Sequence, residues 1–143
     1  MITSTRNPRI VEVRKLIQRK HRQRQNRFLV EGLQLLAMAL EMADQTDRIV
    51  PKEVFYCESL FGGKMAGRLL DQFAKLSAEL IPVSAAVLNR LSDREQSQGL
   101  AVTFLLDRLE WSIEEFQNLA AACVSAPGFV LFLDRLQDPG NLG

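Results

Sequence analysis

The sequence predicts an α/β fold, and three observations predict it. Short strand-type runs alternate with segments of helical periodicity along nearly the whole chain. Several of those runs are continuous in apolar residues, the pattern of strands covered on both faces. Gly, Pro or Asn residues stand at many of the junctions between segments.

Asn7-Pro8 opens the first helix: Asn can cap it, and Pro is favoured at the first helical position. Ile10, Val13, Leu16 and Ile17 recur at helical spacing and predict one apolar face, with Lys15, Arg19 and Arg22 on the opposite one. Phe28-Leu29-Val30 predicts a short buried strand that ends at Glu31-Gly32. A second helix carries Leu33, Leu36 and Leu40. Val54-Phe55-Tyr56-Cys57 predicts a second strand, and Phe61-Gly62-Gly63 breaks the chain. Leu69, Phe73 and Leu76 mark a third helix, followed by the strand Leu80-Ile81-Pro82-Val83. Its proline suits an edge strand or a strand end.

A short helix starting at Ser84 presents Val87, Leu88 and Leu91, and Gly99 leads into the strand Leu100 to Leu105. The polar stretch Asp107 to Glu110 reads as a boundary. Ser112 and Glu115 form a capping box before a helix bearing Phe116, Leu119 and Cys123. Phe129 to Leu133 is the most hydrophobic strand expected. A strand of that kind is rarely a sheet edge. The loop after it, Asp134 to Gly143, is expected to be functional, because α/β folds place ligands beyond such strands.

At 143 residues the chain has room for one ordinary domain, or for one domain and part of a second. A 47% hydrophobic and 24% charged composition is that of a globular protein rather than a disordered one. No apolar run approaches the roughly 20 residues that span a bilayer, and the start of the chain has no secretory core, so no membrane partner and a cytoplasmic location are expected. Cys57 and Cys123 lie in apolar settings, as buried reduced thiols do. His21 is the sole histidine, which excludes a histidine-rich metal site and a Ser/His/Asp triad.

The net charge of +1 conceals an asymmetry. Residues 1–30 hold nine Lys or Arg against one acid, Glu12, a net of +8; the remainder nets −7. Lys15, Arg19, Lys20, Arg22, Arg24 and Arg27 fall within thirteen residues with no acid among them. Counterion release from a polyanion needs a dense positive field of this kind, so these six residues are the candidate nucleic-acid contacts. Glu31, in the turn after the first strand, joins them as a candidate contact with a structural role equally open.

Four blocks of the sequence resemble the SpoU (TrmH-type) family of RNA 2′-O-ribose methyltransferases. They are Ile2-Thr3-Ser4 with Asn7-Pro8; Lys20-His21-Arg22 with Phe28 to Gly32; Leu91-Ser92-Asp93 with Gln98 to Val102; and Leu133 to Gly143, which is similar to the first methyltransferase motif. The resemblance implies a three-layer α/β/α substrate-binding domain, like RNA-binding domains of ribosomal proteins, followed by the first strand of a truncated knotted methyltransferase domain. The implied boundaries are 1–106 for the RNA-binding domain, 107–127 for a linker helix and 128–143 for the start of the methyltransferase domain.

The resemblance also implies a parent enzyme that methylates rRNA or tRNA with S-adenosylmethionine and forms a homodimer through the knotted domain. In the family the first motif runs from its Asn, here Asn141, to a catalytic Arg six positions on, four residues beyond Gly143. Asn141 is therefore the one catalytic-domain residue carried over. These 143 residues alone are expected to bind RNA as a monomer, to hold no cofactor and to be inactive. Two rivals stay open: a non-catalytic RNA-binding module of ribosomal-protein type, and a nucleotide-dependent oxidoreductase. The second lacks the G-x-G-x-x-G spacing.

Overall fold

The computed structural model of the chain describes residues 1–92, 97–109 and 112–125. The chain divides into two units, Met1–Glu110 and Trp111–Gly143.

In the first unit, helix α1 (Pro8–Arg14) begins as expected: the Asn7 side chain accepts from the Arg9 N–H, and Pro8 sits in the first turn. Ile10, Val13 and Leu16 are buried. The helix does not continue through the basic segment. Lys15–Ile17 tightens into a 3₁₀ turn, Gln18 is extended, and α2 (Arg19–Gln25) starts afresh. Ile17 consequently lies 56% exposed rather than on the apolar face. The segment Arg19–Gln25 has no apolar residue to hold it on the core, and α2 buries none. Lys15, Arg19 and Arg22 thus do not share one face of one helix.

Asn26 ends α2 in the left-handed conformation, at φ 50° and ψ 38°, a conformation Asn tolerates better than most residues. Its side chain accepts from Asp107 N at 2.9 Å and its carbonyl from Leu106 N at 3.0 Å. Strand β1 (Arg27–Glu31) follows, then α3 (Leu33–Ala43), β2 (Pro51–Tyr56), α4 (Lys64–Lys75), β3 (Glu79–Pro82), α5 (Ala85–Leu91) and β4 (Leu100–Leu105). Ser84 caps α5 by accepting from Val87 N. Gly99, at φ 93°, precedes β4; a Cβ there would meet Phe61 Cδ1 at 2.5 Å, so the position suits glycine alone.

The sheet order is β1-β4-β2-β3. Strand β4 runs antiparallel to both β1 and β2, while β2 and β3 are parallel. Strand β3 lies at one edge of the sheet, β1 at the other, and β3 ends on Pro82, so both positions suited to its proline hold. Its outer side is partly covered where Ile2 bridges Val83, with Ile2 N donating to Pro82 O at 2.8 Å.

Strand pleating separates the core into two clusters. One joins Ile10, Val13 and Leu16 to Phe55, Ala101, Ile81 and the α5 residues Val87, Leu88 and Leu91. The other joins Leu36 and Leu40 of α3 and Leu69 and Phe73 of α4 to Val54, Val102 and Phe104. Residues 54 and 55, like 101 and 102, point into opposite clusters, as a period of two requires. Cys57 is buried, with Sγ 3.2 Å from Ser59 Oγ.

In the second unit, α6 (Ile113–Ser125) starts at the expected capping box. Ser112 N donates to Glu115 Oε2 at 2.7 Å, and Glu115 N to Ser112 Oγ at 3.1 Å. The side chain of Cys123, the expected strand Phe129 to Leu133 and the loop to Gly143 lie outside the described residues. Among the described residues, no helix is long and apolar enough to cross a membrane.

Candidate nucleic-acid interface

The six basic residues singled out by charge have three different local roles. Arg19, Lys20 and Arg24 of α2 are exposed and form no hydrogen bond or salt bridge among the described residues. Lys15 is half-exposed and pairs with Glu12 at 2.5 Å across one turn of chain. Arg22 turns back on the chain: its Nη1 donates to the carbonyls of Leu16 and Ile17 at 2.9 and 2.7 Å. Those are acceptors freed by the break between α1 and α2, so Arg22 stabilises the break itself. Arg27 is held most firmly, by Glu53.

Glu53 is 5% exposed and lies where β2 and β4 lose register between Pro51 and Glu53. Its Oε1 accepts from Arg9 Nε at 2.8 Å, and its Oε2 accepts from Arg27 Nη1 and, at 3.0 Å, from Thr103 Oγ1. Arg27 also donates through Nε and Nη2 to Gln25 Oε1, and Gln25 Nε2 donates to Glu12 O at 3.0 Å. Arg9 reaches outward to Glu79, with Nη1 2.8 Å from Oε1. One polar chain therefore joins α1, α2, β1, β2 and β3. A buried carboxylate is tolerated only when its oxygens are satisfied in this way. The Arg9 hydrogen bonds hold the Glu79 carboxyl below its ordinary value, against an opposing effect of burial, with the guanidinium charge adding to the lowering. The Lys15 hydrogen bond depresses Glu12 likewise, and the charges of Lys15, Arg24 and His21 add to it.

Beside β1 lies a groove of about 480 Å³ whose walls include Leu16, Ile17, Leu29, Leu91 and Leu106. Among the described residues, its charged lining residues are Arg22 and Glu31. Sequence reasoning found Arg22 and Glu31 separately but not the groove that brings them together. It also missed Arg9, Glu53 and Glu79, whose partners lie 44 and 70 residues away in the chain; no local pattern marks such pairs. Asn141 lies outside the described residues. Among the described residues no cluster of three His, Cys, Asp or Glu is arranged to hold a metal ion.

The family described as MRM3-like substrate binding domain matches residues 7–102. An uncharacterized tRNA/rRNA methyltransferase of Synechocystis sp. is 30% identical over 142 residues, 99% of this chain and 46% of the relative. A crystal structure of an RNA 2′-O ribose methyltransferase superposes with a TM-score of 0.60 at 32% identity, over 78% of this chain and 39% of that one. The SpoU methyltransferase AviRb from Streptomyces viridochromogenes, solved with AdoMet, gives a TM-score of 0.57 at 22% identity, over 75% and 40% of the two chains, and shows a shared fold. The chain thus spans less than half the length of these relatives. These matches agree with the SpoU resemblance read from the sequence. With a match that takes in the whole of α2 and both clusters of the core except Phe104, this chain belongs to the MRM3-like substrate binding domain family.

Proposed function

We propose that this chain is the RNA-binding part of a methyltransferase that modifies a ribose 2′-hydroxyl in ribosomal or transfer RNA. One observation carries the reading. In a chain of a substrate-binding family, the helix bearing Arg19, Lys20 and Arg24 buries nothing, and among the described residues none of those three side chains forms a hydrogen bond or salt bridge. A helix so placed contributes little to the core. Its cations stand ready to exchange counterions for phosphates.

In this reading residues 1–106 form the substrate-binding domain, 107–127 a linker helix and 128–143 the start of the methyltransferase domain. A ribose hydroxyl is a weak nucleophile and needs a positioned base. That base belongs to the methyltransferase domain, to which Asn141 in the motif Leu133 to Gly143 is tied by resemblance. S-adenosylmethionine supplies the methyl group when bound there, and homodimerisation is a property of that domain. The 143 residues alone are then a monomer that binds RNA and transfers no methyl group. The expected compartment is the cytoplasm.

The direct contacts are Arg19, Lys20 and Arg24, supported at the margin by Lys15 and at the groove by Arg22 and Glu31. Arg27 acts through Glu53 to fix β1 beside them. The test replaces Arg19, Lys20 and Arg24 together by Gln and measures RNA affinity at two salt concentrations. Each lost phosphate contact lowers the salt slope by roughly 0.7 to 0.9 and weakens binding similarly across sequences. A control replaces Lys52, Lys64 and Lys75, and circular dichroism checks that both variants fold. Equal loss in the control contradicts the reading.

A further inference from the structure

Glu12 is the one acid in residues 1–30, and its carboxylate lies within the positive field. Its Oε1 accepts from Lys15 Nζ at 2.5 Å, and the charge of Arg24, on α2, acts on the same group. Gln25, at the end of α2, adds a neutral donor. The Gln25 Oε1 is held by Arg27 Nε and Nη2, and its Nε2 donates to the Glu12 main-chain carbonyl at 3.0 Å. The same Nε2 reaches Glu12 Oε2 only at 3.5 Å, longer than an ordinary N–H···O bond. Lys15 has no other hydrogen-bond or ion-pair partner among the described residues. Lys15, Arg24 and Gln25 thus act on one anion, and Gln25 grips it loosely.

We propose that the Glu12 carboxylate keeps the place of one RNA phosphate, which displaces it from Lys15 Nζ and Gln25 Nε2 on binding; the inference rests on the RNA-binding reading above. A phosphodiester carries one negative charge and two free oxygens, as a carboxylate does, so the same donors serve either. The Lys15 and Glu12 side chains are 42% and 48% exposed. An ion pair in that setting is worth little and opens without unfolding anything. Gln25 does not depend on the carboxylate for its place, because Arg27 and the main-chain carbonyl hold it. Departure of the Glu12 side chain therefore leaves a cation and an oriented amide donor, with the exposed Arg24 next to Gln25 in the chain. Glu12 is a built-in competitor for one phosphate, while Arg19, Lys20 and Arg24 stay open to others.

The test measures binding of single-stranded oligouridine and oligoadenosine at several salt concentrations. Four proteins are compared, with circular dichroism to check folding: the wild-type chain, Glu12→Gln, Lys15→Gln and the double variant. Glu12→Gln should tighten binding about threefold, the scale of one exposed ion pair. The gain should be equal on both RNAs, since a phosphate carries no sequence. Lys15→Gln should lower the salt slope by about 0.7, one phosphate contact on a single strand. In the Lys15→Gln background there is no pair to break, so Glu12→Gln should tighten binding little. An equal gain in both backgrounds overturns the inference, because Glu12 would then act by plain repulsion. A gain confined to one RNA overturns it too, as does a salt slope that Lys15→Gln leaves in place. Strong salt-dependent binding that Glu12→Gln does not tighten removes the inference and keeps the RNA-binding reading; no binding by any of the four proteins removes both.

Discussion

Glu53 decides what two arginines can do. It is nearly inaccessible, and it draws Arg9 from α1 and Arg27 from β1 onto one carboxylate that also accepts from Thr103. Arg27 is itself 15% exposed at the side chain, so it has little water to turn to if its partner is removed. Truncating one side of a buried pair leaves the other charge uncompensated, which costs about 3 to 5 kcal/mol. Glu53→Gln keeps the volume and one acceptor but loses the charge. We expect it to destabilise the chain by about 3 kcal/mol in urea denaturation. A loss below about 1 kcal/mol would show that the arginines find other partners. Arg22, by contrast, spends its hydrogen bonds on main-chain carbonyls. Of the six cations found by charge, it is the one whose local role explains a backbone feature.

At the scale of elements, Arg9 and Glu79 tie α1 to β3 across the outer side of the sheet. Glu79 is depressed mainly by that hydrogen bond. A depressed carboxyl contributes its stability in full above the ordinary carboxylate value, and loses it as pH falls through the depressed one. Melting temperature should therefore decline on acidification below about pH 4.5. The decline should be shallower in Arg9→Gln, where the contribution is absent at every pH. Parallel acid limbs for the two proteins would contradict this. The order of strands and helices was legible because each carries its own period and punctuation: Asn7-Pro8, Ser84, and Ser112 with Glu115 all cap where they were expected to. The break after α1 was not legible. The stretch Arg19–Gln25 has no apolar residue to report its direction, and the helical spacing of its charges runs smoothly across the gap. Nor does the chain show that β4 sits between β1 and β2, antiparallel to both. An apolar run tells that a strand is covered, not which strands are its neighbours.

For the whole molecule, the charge division along the sequence becomes a division of labour in space. The positive end provides α2 and the groove residue Arg22, while the other groove charge, Glu31, lies at the end of β1. Arg9 and Arg27, from the same positive end, go inward to Glu53 and are not part of the exposed field. The charge sum of residues 1–30 therefore overstates the exposed positive field, which holds Arg6, Arg19, Lys20 and Arg24, with Lys15 half-exposed and paired to Glu12. The most direct measurement of this account is photo-crosslinking of the chain to a uridine-rich RNA, with the attached peptides identified by mass spectrometry. The account predicts crosslinks concentrated in residues 15–31, and loss of them when Arg19, Lys20 and Arg24 are replaced by Gln. Crosslinks concentrated in α4, or unchanged by that replacement, would contradict it.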